Sequence, residues 1–311
     1  MDPFSGVERE GRQYGLGILD MKGGMAAAMT ALRALNDLDV RLAGDLLIET
    51  VMDEEFGGAN GTLACRLRGY GADAAIVPEP SNLTICPENQ GGGMFRISFE
   101  GKAGRAALGG EPVNPVYAAG RFLDIFRRYE AQHAKKRSSS KLFENDPGLP
   151  AYVQGVRAGS IALDLFDRVP GACSVDVWIQ CYPETSEEEL WGDFVSFCEE
   201  EAREDEVLSV VGPKFEKLIR FLPGSGVPEG HEIVEAASRA AERIREGGLP
   251  VEGAAFACDS FMFNLYSDTP ALIWGPKGAN VHAPDEYVEI DALMDLVKMY
   301  ALTMIEWCGV E

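Results

Sequence analysis

The chain has 311 residues, enough to bury a sizeable core in one large domain or two smaller ones. Apolar residues make up 46% and charged residues 25%, which excludes a disordered or fibrous chain. Its 28 basic residues face 50 acidic ones, and a formal charge of −22 repels phosphate backbones and anionic lipid, so nucleic acid and membrane surfaces are excluded as partners.

In chain order, the first third alternates helix and strand. Residues 21–38 (MKGGMAAAMTALRALNDL) carry Ala, Met and Leu at helical spacing. Residues 45–52 (DLLIETVM) read as a buried strand, 61–70 as a helix and 73–77 (DAAIV) as a second buried strand, which predicts a parallel sheet covered by helices. At Gly91-Gly92-Gly93 the style changes. An alternating strand at 94–100, a helix at 115–133, strands near 160–166 and at 173–181, a helix at 186–205 and a strand near 215–221 suit a ferredoxin-like sandwich. From Gly224 the first style returns, with a helix at 232–246, a buried strand at 270–274 (PALIW) and an amphipathic helix at 291–307. The expected fold is α/β: a doubly wound mixed sheet built from residues 1–92 and 223–311, with an α+β domain of residues 93–222 inserted.

Lys135–Ser140 (KKRSSS) and the runs Glu187–Glu189 and Glu199–Glu201 read as solvated surface. Seven cysteines (65, 86, 173, 181, 198, 258 and 308) form no CxxC, and their odd number argues against a disulfide framework, so a reducing, cytoplasmic compartment is expected. No apolar run reaches the roughly 18 residues needed to span a bilayer.

Three carboxylate features end predicted buried strands, where open α/β sheets place their ligand sites. They are Asp20 after Gly17-Ile18-Leu19, the triplet Asp53-Glu54-Glu55, and Glu79 in Pro78-Glu79-Pro80. Gathering several carboxylates at one sheet edge is unfavourable unless a cation compensates them, and a divalent metal is the natural counter-charge. Alone, Asp20 would read as a helix cap; one late histidine, His282 in a Gly/Pro loop after the strand 270–274, changes the balance. His133, beside the basic run, and His231, at a helix start, read as surface residues. A dinucleotide site on Gly15-x-Gly17 is disfavoured because the third glycine falls at 23.

The stretch Gly17-Ile18-Leu19-Asp20-Met21-Lys22-Gly23-Gly24, the triplet Asp53-Glu54-Glu55, Pro78-Glu79-Pro80 and His282-Ala283-Pro284-Asp285-Glu286-Tyr287-Val288 occur in this order. Together they resemble the co-catalytic zinc hydrolases that include acetylornithine deacetylase, succinyl-diaminopimelate desuccinylase, aminoacylase and carboxypeptidase G. The resemblance spans nearly the whole chain and implies a metal-dependent hydrolase that cleaves the amide bond of an N-acyl amino acid or small peptide. It implies that Asp20 bridges two metals, that Glu55 and His282 complete one site, that Glu79 belongs to the other, and that Glu54 is the general base. Two Zn2+ ions per chain follow, with Co2+ or Mn2+ as substitutes. The inserted domain would act as a lid and pair two chains into a homodimer.

Four departures qualify this. No histidine precedes His133, so the family's His-x-Asp ligand has no counterpart; the chain then reads as N-terminally incomplete, and one tightly held ion is expected if nothing replaces that ligand. The lid histidine that steadies the oxyanion aligns with Arg105, the substrate-gripping asparagine with Asp167, and the arginine of Asp-x-Arg with Trp178 in Asp176-Val177-Trp178. These substitutions favour a substrate lacking the usual free carboxylate, and they motivate an alternative in which the chain is a catalytically degenerate metal- or ligand-binding relative.

Overall fold

The computed structural model describes residues 2–105, 111–159 and 168–311, and the chain divides into two compact units. The first comprises residues 1–89, 141–143 and 225–311; the second comprises 90–140 and 144–224.

The first unit opens with a hairpin, β1 (Glu8–Arg9) and β2 (Arg12–Tyr14), followed by α1 (Gly23–Asp37), α2 (Thr62–Leu67), β3 (Ala75–Val77) and β4 (Glu88–Asn89). Helix α1 turns Ala27, Ala31 and Leu35 inward at the spacing of one helical face. The segment 45–52 is not a strand, contrary to expectation. A strand exists only by hydrogen-bonding to a neighbour, and residues 46–51 instead form one wall of a cavity of about 290 Å³ whose other walls include Ile76 on β3. Leu47 and Met52 are accordingly exposed.

In the second unit, β5 (Gly91–Glu100), α3 (Pro115–His133), β6 (Ala151–Ala158), β7 (Ala172–Cys181), α4 (Glu187–Arg203) and β8 (Lys214–Lys217) follow one another. Their antiparallel sheet has the order β6-β7-β5-β8, the β-α-β-β-α-β arrangement of a ferredoxin-like sandwich. Inward residues of β5 (Phe95, Ile97, Phe99) and β7 (Val175, Val177, Ile179) pack on Phe122 and Phe126 of α3 and Phe194 of α4. Asn114 caps α3 ahead of a proline at its first position, and Ser186 with Glu189 forms a capping box on α4. The strand expected near 160–166 lies outside the described residues.

His133 is a correction. It is buried at the end of α3, with Nε2 2.7 Å from the Gln180 carbonyl and Nδ1 3.3 Å from the Tyr129 hydroxyl. Residues 122, 126, 129 and 133 share one helix face, so His133 continues the Phe122–Phe126–Tyr129 stripe into the core. Burial pushes its pKa down to about 4. His231 is half-buried and caps the helix that follows it.

The chain then returns to the first unit through β9 (Ser225–Gly226), α5 (Glu232–Ile244), α6 (Phe261–Tyr266), β10 (Ala271–Ile273), β11 (Gly278–Ala279), β12 (Tyr287–Glu289) and α7 (Ile290–Cys308). Strand β10 pairs in parallel with β3, and β12 joins the N-terminal hairpin in the sheet β1-β2-β12-β11. Helices α1, α5 and α7 enclose Trp274, Leu296 and Tyr300; the Trp274 indole donates to the Leu83 carbonyl at 3.0 Å. Both chain ends thus meet in this unit, and they carry the acidic segments to one place. No helix among the described residues is long and apolar enough to cross a membrane.

Candidate metal centre

Asp20 follows buried Leu19 in an irregular turn, 18–22, that leads into α1. Two glycines set the approach of the Glu79 segment to this turn. A Cβ on Gly24 would lie 2.3 Å from the Pro78 carbonyl oxygen, and one on Gly275 2.0 Å from the Glu79 carbonyl oxygen. Contacts that close require glycine, so the Gly23-Gly24 pair and the glycine after β10 hold Pro78-Glu79 between them. Lys22 donates to the Leu16 carbonyl at 2.7 Å.

Glu54 and Glu55 occupy a tight turn. Asp53 begins it with φ 72°, and its side chain accepts from the Asn60 backbone N–H at 3.1 Å and amide Nδ2 at 2.8 Å. Gly57 and Gly58, both at positive φ, reverse the chain. Asp53 therefore shapes the loop and leaves its two neighbours to present their carboxylates.

His282 lies in the loop between β11 and β12, in the left-handed region at φ 55°. Asn280 and Asp285 share that conformation, at φ 64° and 62°. A non-glycine residue there costs on the order of 1 kcal/mol or more, and such strain collects at functional sites. His282 Nε2 lies 3.1 Å from Asp20 Oδ2 and 3.1 Å from Glu55 Oε2, so three segments distant in sequence converge on one imidazole.

A second cluster adjoins the first. Donor atoms of Glu54, Glu79 and Asp259 lie within 4.8 Å of one another, as do those of Asp20, Glu55 and His282. The Asp20 carboxyl hydrogen-bonds Glu79 and so links the two groups. Asp259 is buried, accepts from the Thr62 hydroxyl, and donates its backbone N–H to Glu54 Oε1 at 3.3 Å. Sequence reasoning missed it because it follows no predicted strand; the available signal was a lone carboxylate inside the apolar run 254–263. Thr62 was missed as well.

Electrostatically these acids are uncompensated. Burial, reinforced by Asp259, Glu55 and Asp20, pushes the Glu54 carboxyl up to about 8. Burial and the neighbouring Glu54 and Asp20 hold Glu79 well above the carboxylate range, and burial raises Asp259. Among the described residues no ion pair reaches Glu54, Glu79 or Asp259; Arg66, which favours the charged Asp259, is itself paired with Glu49. Glu79 Oε1 is fully buried without a hydrogen-bond partner. Carboxylate oxygens and one imidazole with no counter-cation are a donor set that fits divalent metal ions.

The remaining predicted site residues belong to the second unit. Arg105 is exposed just after the bridge joining Gly104 to Val169. The partly buried Trp178 on β7 lays its ring against Gly92, where a Cβ would approach it to 2.5 Å. Asp176, two residues earlier, is buried and takes its guanidinium partners from Arg96, at 2.7 and 2.9 Å, and from Arg157. Asp167 lies outside the described residues.

The sequence model of peptidase family M20/M25/M40 matches residues 1–306. Fold, paired acidic clusters and this match define a hydrolase of the metal-dependent amidohydrolase class. The chain belongs to peptidase family M20/M25/M40. It is 26% identical over 331 residues to the N-formyl-4-amino-5-aminomethyl-2-methylpyrimidine deformylase of Bacillus subtilis (strain 168), covering 99% of this chain and 75% of that protein. Its fold is similar to that of the di-peptidase Dug1p from Saccharomyces cerevisiae (TM-score 0.77, 15% identity, 98% of this chain and 74% of the other). It is also similar to that of human carnosine dipeptidase 1 (TM-score 0.73, 15% identity, 99% and 76%).

Proposed function

We propose that the protein hydrolyses the amide bond of a small N-acyl or peptide-like substrate, with Glu54 as general base. The observation that carries this reading is the shared carboxylate: Asp20 reaches His282 on one side and Glu79 on the other, which is what a pair of adjacent cations requires. Asp20, Glu55 and His282 would hold one ion, and Asp20 with Glu79 the other, with Asp259 offering the oxygen that the sequence-derived set lacked. Zinc suits these ligands, and cobalt or manganese can replace it. When bound, the ions polarise the scissile carbonyl and let water ionise near neutral pH. Glu54 takes the proton from the attacking water and returns it to the departing amine, so the C–N bond breaks to a carboxylate and an amine. The name of the Bacillus subtilis relative, a deformylase, supports an N-acyl substrate.

The second unit is assigned the role of lid and homodimer surface. On the resemblance, Arg105, Asp167 and Trp178 stand where the family carries its oxyanion histidine, substrate-gripping asparagine and substrate-binding arginine. Seven free thiols fit a reducing, cytoplasmic setting.

The test is amine release from N-formyl and N-acetyl amino acids, N-formyl aminopyrimidines and dipeptides by protein loaded with zinc or cobalt. Wild type should turn over at least one class, and Glu54→Gln should fall by at least about 10²-fold. Loaded wild type inactive on every class, or a fully active Glu54→Gln, refutes the reading.

A further inference from the structure

We infer that Glu286 is a positioning residue for the metal centre: its buried carboxylate fastens the turn carrying Asp20 to the loop carrying His282. This rests on the reading of Asp20, Glu55 and His282 as ligands.

Glu286 lies four residues beyond His282 and is 5% exposed. Its Oε2 accepts from the Gly17 N–H at 2.7 Å, and its Oε1 accepts from Leu19 at 2.7 Å and from Asp20 at 3.0 Å. Its backbone carbonyl accepts from Gly15 at 3.2 Å. Among the described residues no cation pairs with this carboxylate, so backbone amides are its partners. Those three N–H groups lie in the first turn of an irregular helical segment, where no carbonyl is placed to receive them. Hydrogen bonds of an ionised carboxylate to N–H donors are short and strong, and one of these three is made to Asp20 itself.

The same contacts restrain the His282 loop. Residues 280–285 contain three non-glycine residues at positive φ, so the loop would relax unless held at both ends. The β11–β12 ladder holds them, pairing Gly278 with Val288 and Ala279 with Tyr287, and Glu286 adds bonds on the side facing Asp20. The 3.1 Å separation of His282 Nε2 and Asp20 Oδ2 is set across this joint. Aspartate at 286 is one methylene shorter and cannot span all three amides. Glutamine would turn an NH2 group toward an N–H donor, leaving both unpaired.

The experiment is cobalt titration of metal-free full chains: wild type, Glu286→Gln and Glu286→Asp. It reads the visible d–d spectrum and the dissociation constant, with far-UV circular dichroism and the metal-free melting temperature alongside. A residue that orients metal ligands is worth about 10–100-fold in metal affinity. Glu286→Gln should therefore bind cobalt at least tenfold more weakly and with an altered spectrum, and Glu286→Asp should fall between it and wild type. A lowered melting temperature with wild-type cobalt affinity and spectrum overturns the inference, since a purely structural residue would behave in that way. If Glu286→Gln does not fold, Glu286→Asp decides alone: weaker cobalt binding supports the role and unchanged binding overturns it. Wild-type protein that takes up no cobalt overturns the ligand assignment, and this inference with it.

Discussion

Replacing Glu54 by glutamine separates the energetics of the metal-free protein from its chemistry. In metal-free protein the Glu54 carboxyl is raised from an ordinary 4.5 to about 8, first by burial and then by Asp259, Glu55 and Asp20. The folded chain therefore holds a proton that the unfolded chain has released. Stability tied to this group is fully present below pH 4.5 and is lost as pH rises through about 8. Each pH unit between the two titrations is worth about 1.4 kcal/mol, which gives a ceiling of about 5 kcal/mol. Glutamine has the same shape, carries no charge, and keeps an oxygen for the Asp259 N–H. In chelator, Glu54→Gln should match wild type near pH 4.5 and exceed it at pH 9 by up to about 5 kcal/mol, while hydrolysis is lost. Urea denaturation at pH 5, 7 and 9, with and without zinc, measures this. Identical wild-type and variant stabilities across that range in chelator would refute the argument, because Glu54 would then not be a buried, uncompensated acid.

Three further outcomes follow from the same geometry. Gly24→Ala should drive a methyl into the Pro78 carbonyl, cost about 1–3 kcal/mol and weaken zinc binding through displaced Glu79, as calorimetry would detect. His282→Gly should lower cobalt affinity at least tenfold yet leave metal-free stability equal or higher, because glycine relieves the φ of 55° and the side chain is 64% exposed. His133 has its pKa depressed from 6.5 to about 4, so its contribution is present above pH 6.5 and lost as pH falls toward 4. His133→Gln should flatten that acid limb, worth up to about 3 kcal/mol, in denaturation curves at pH 4, 5.5 and 7.

The second unit was the more legible part. Its helices carry local punctuation, Asn114-Pro115 and Ser186-x-x-Glu189, and its central strands bury alternate residues. His133 was misjudged because the basic run beside it outweighed a stripe that the 3.6-residue period already marked. In the first unit, the segment 45–52 has a strand's composition, but ladder formation depends on a neighbour, and composition does not encode neighbours. At the site, Asp20, Glu55, Glu79 and His282 were legible because each follows a strand-like run or sits in a Gly/Pro loop. Asp259 and the three amides taken up by Glu286 were not, since long-range side-chain partnerships leave no periodic trace.

The ladders of the first unit join residues 12–14 to 287–289 and 75–77 to 271–273, nearly the full span of the chain. Those of the second unit are complete once residue 217 is available. During synthesis the sheet of the inserted unit can be completed while Asp20 and Glu55 still wait for the His282 imidazole that joins them. A ribosome halted past codon 217 but before codon 282 would release a sandwich sheet with its strands present and two acidic loops still without their histidine, so metal capture becomes a test that the His282 loop has been made.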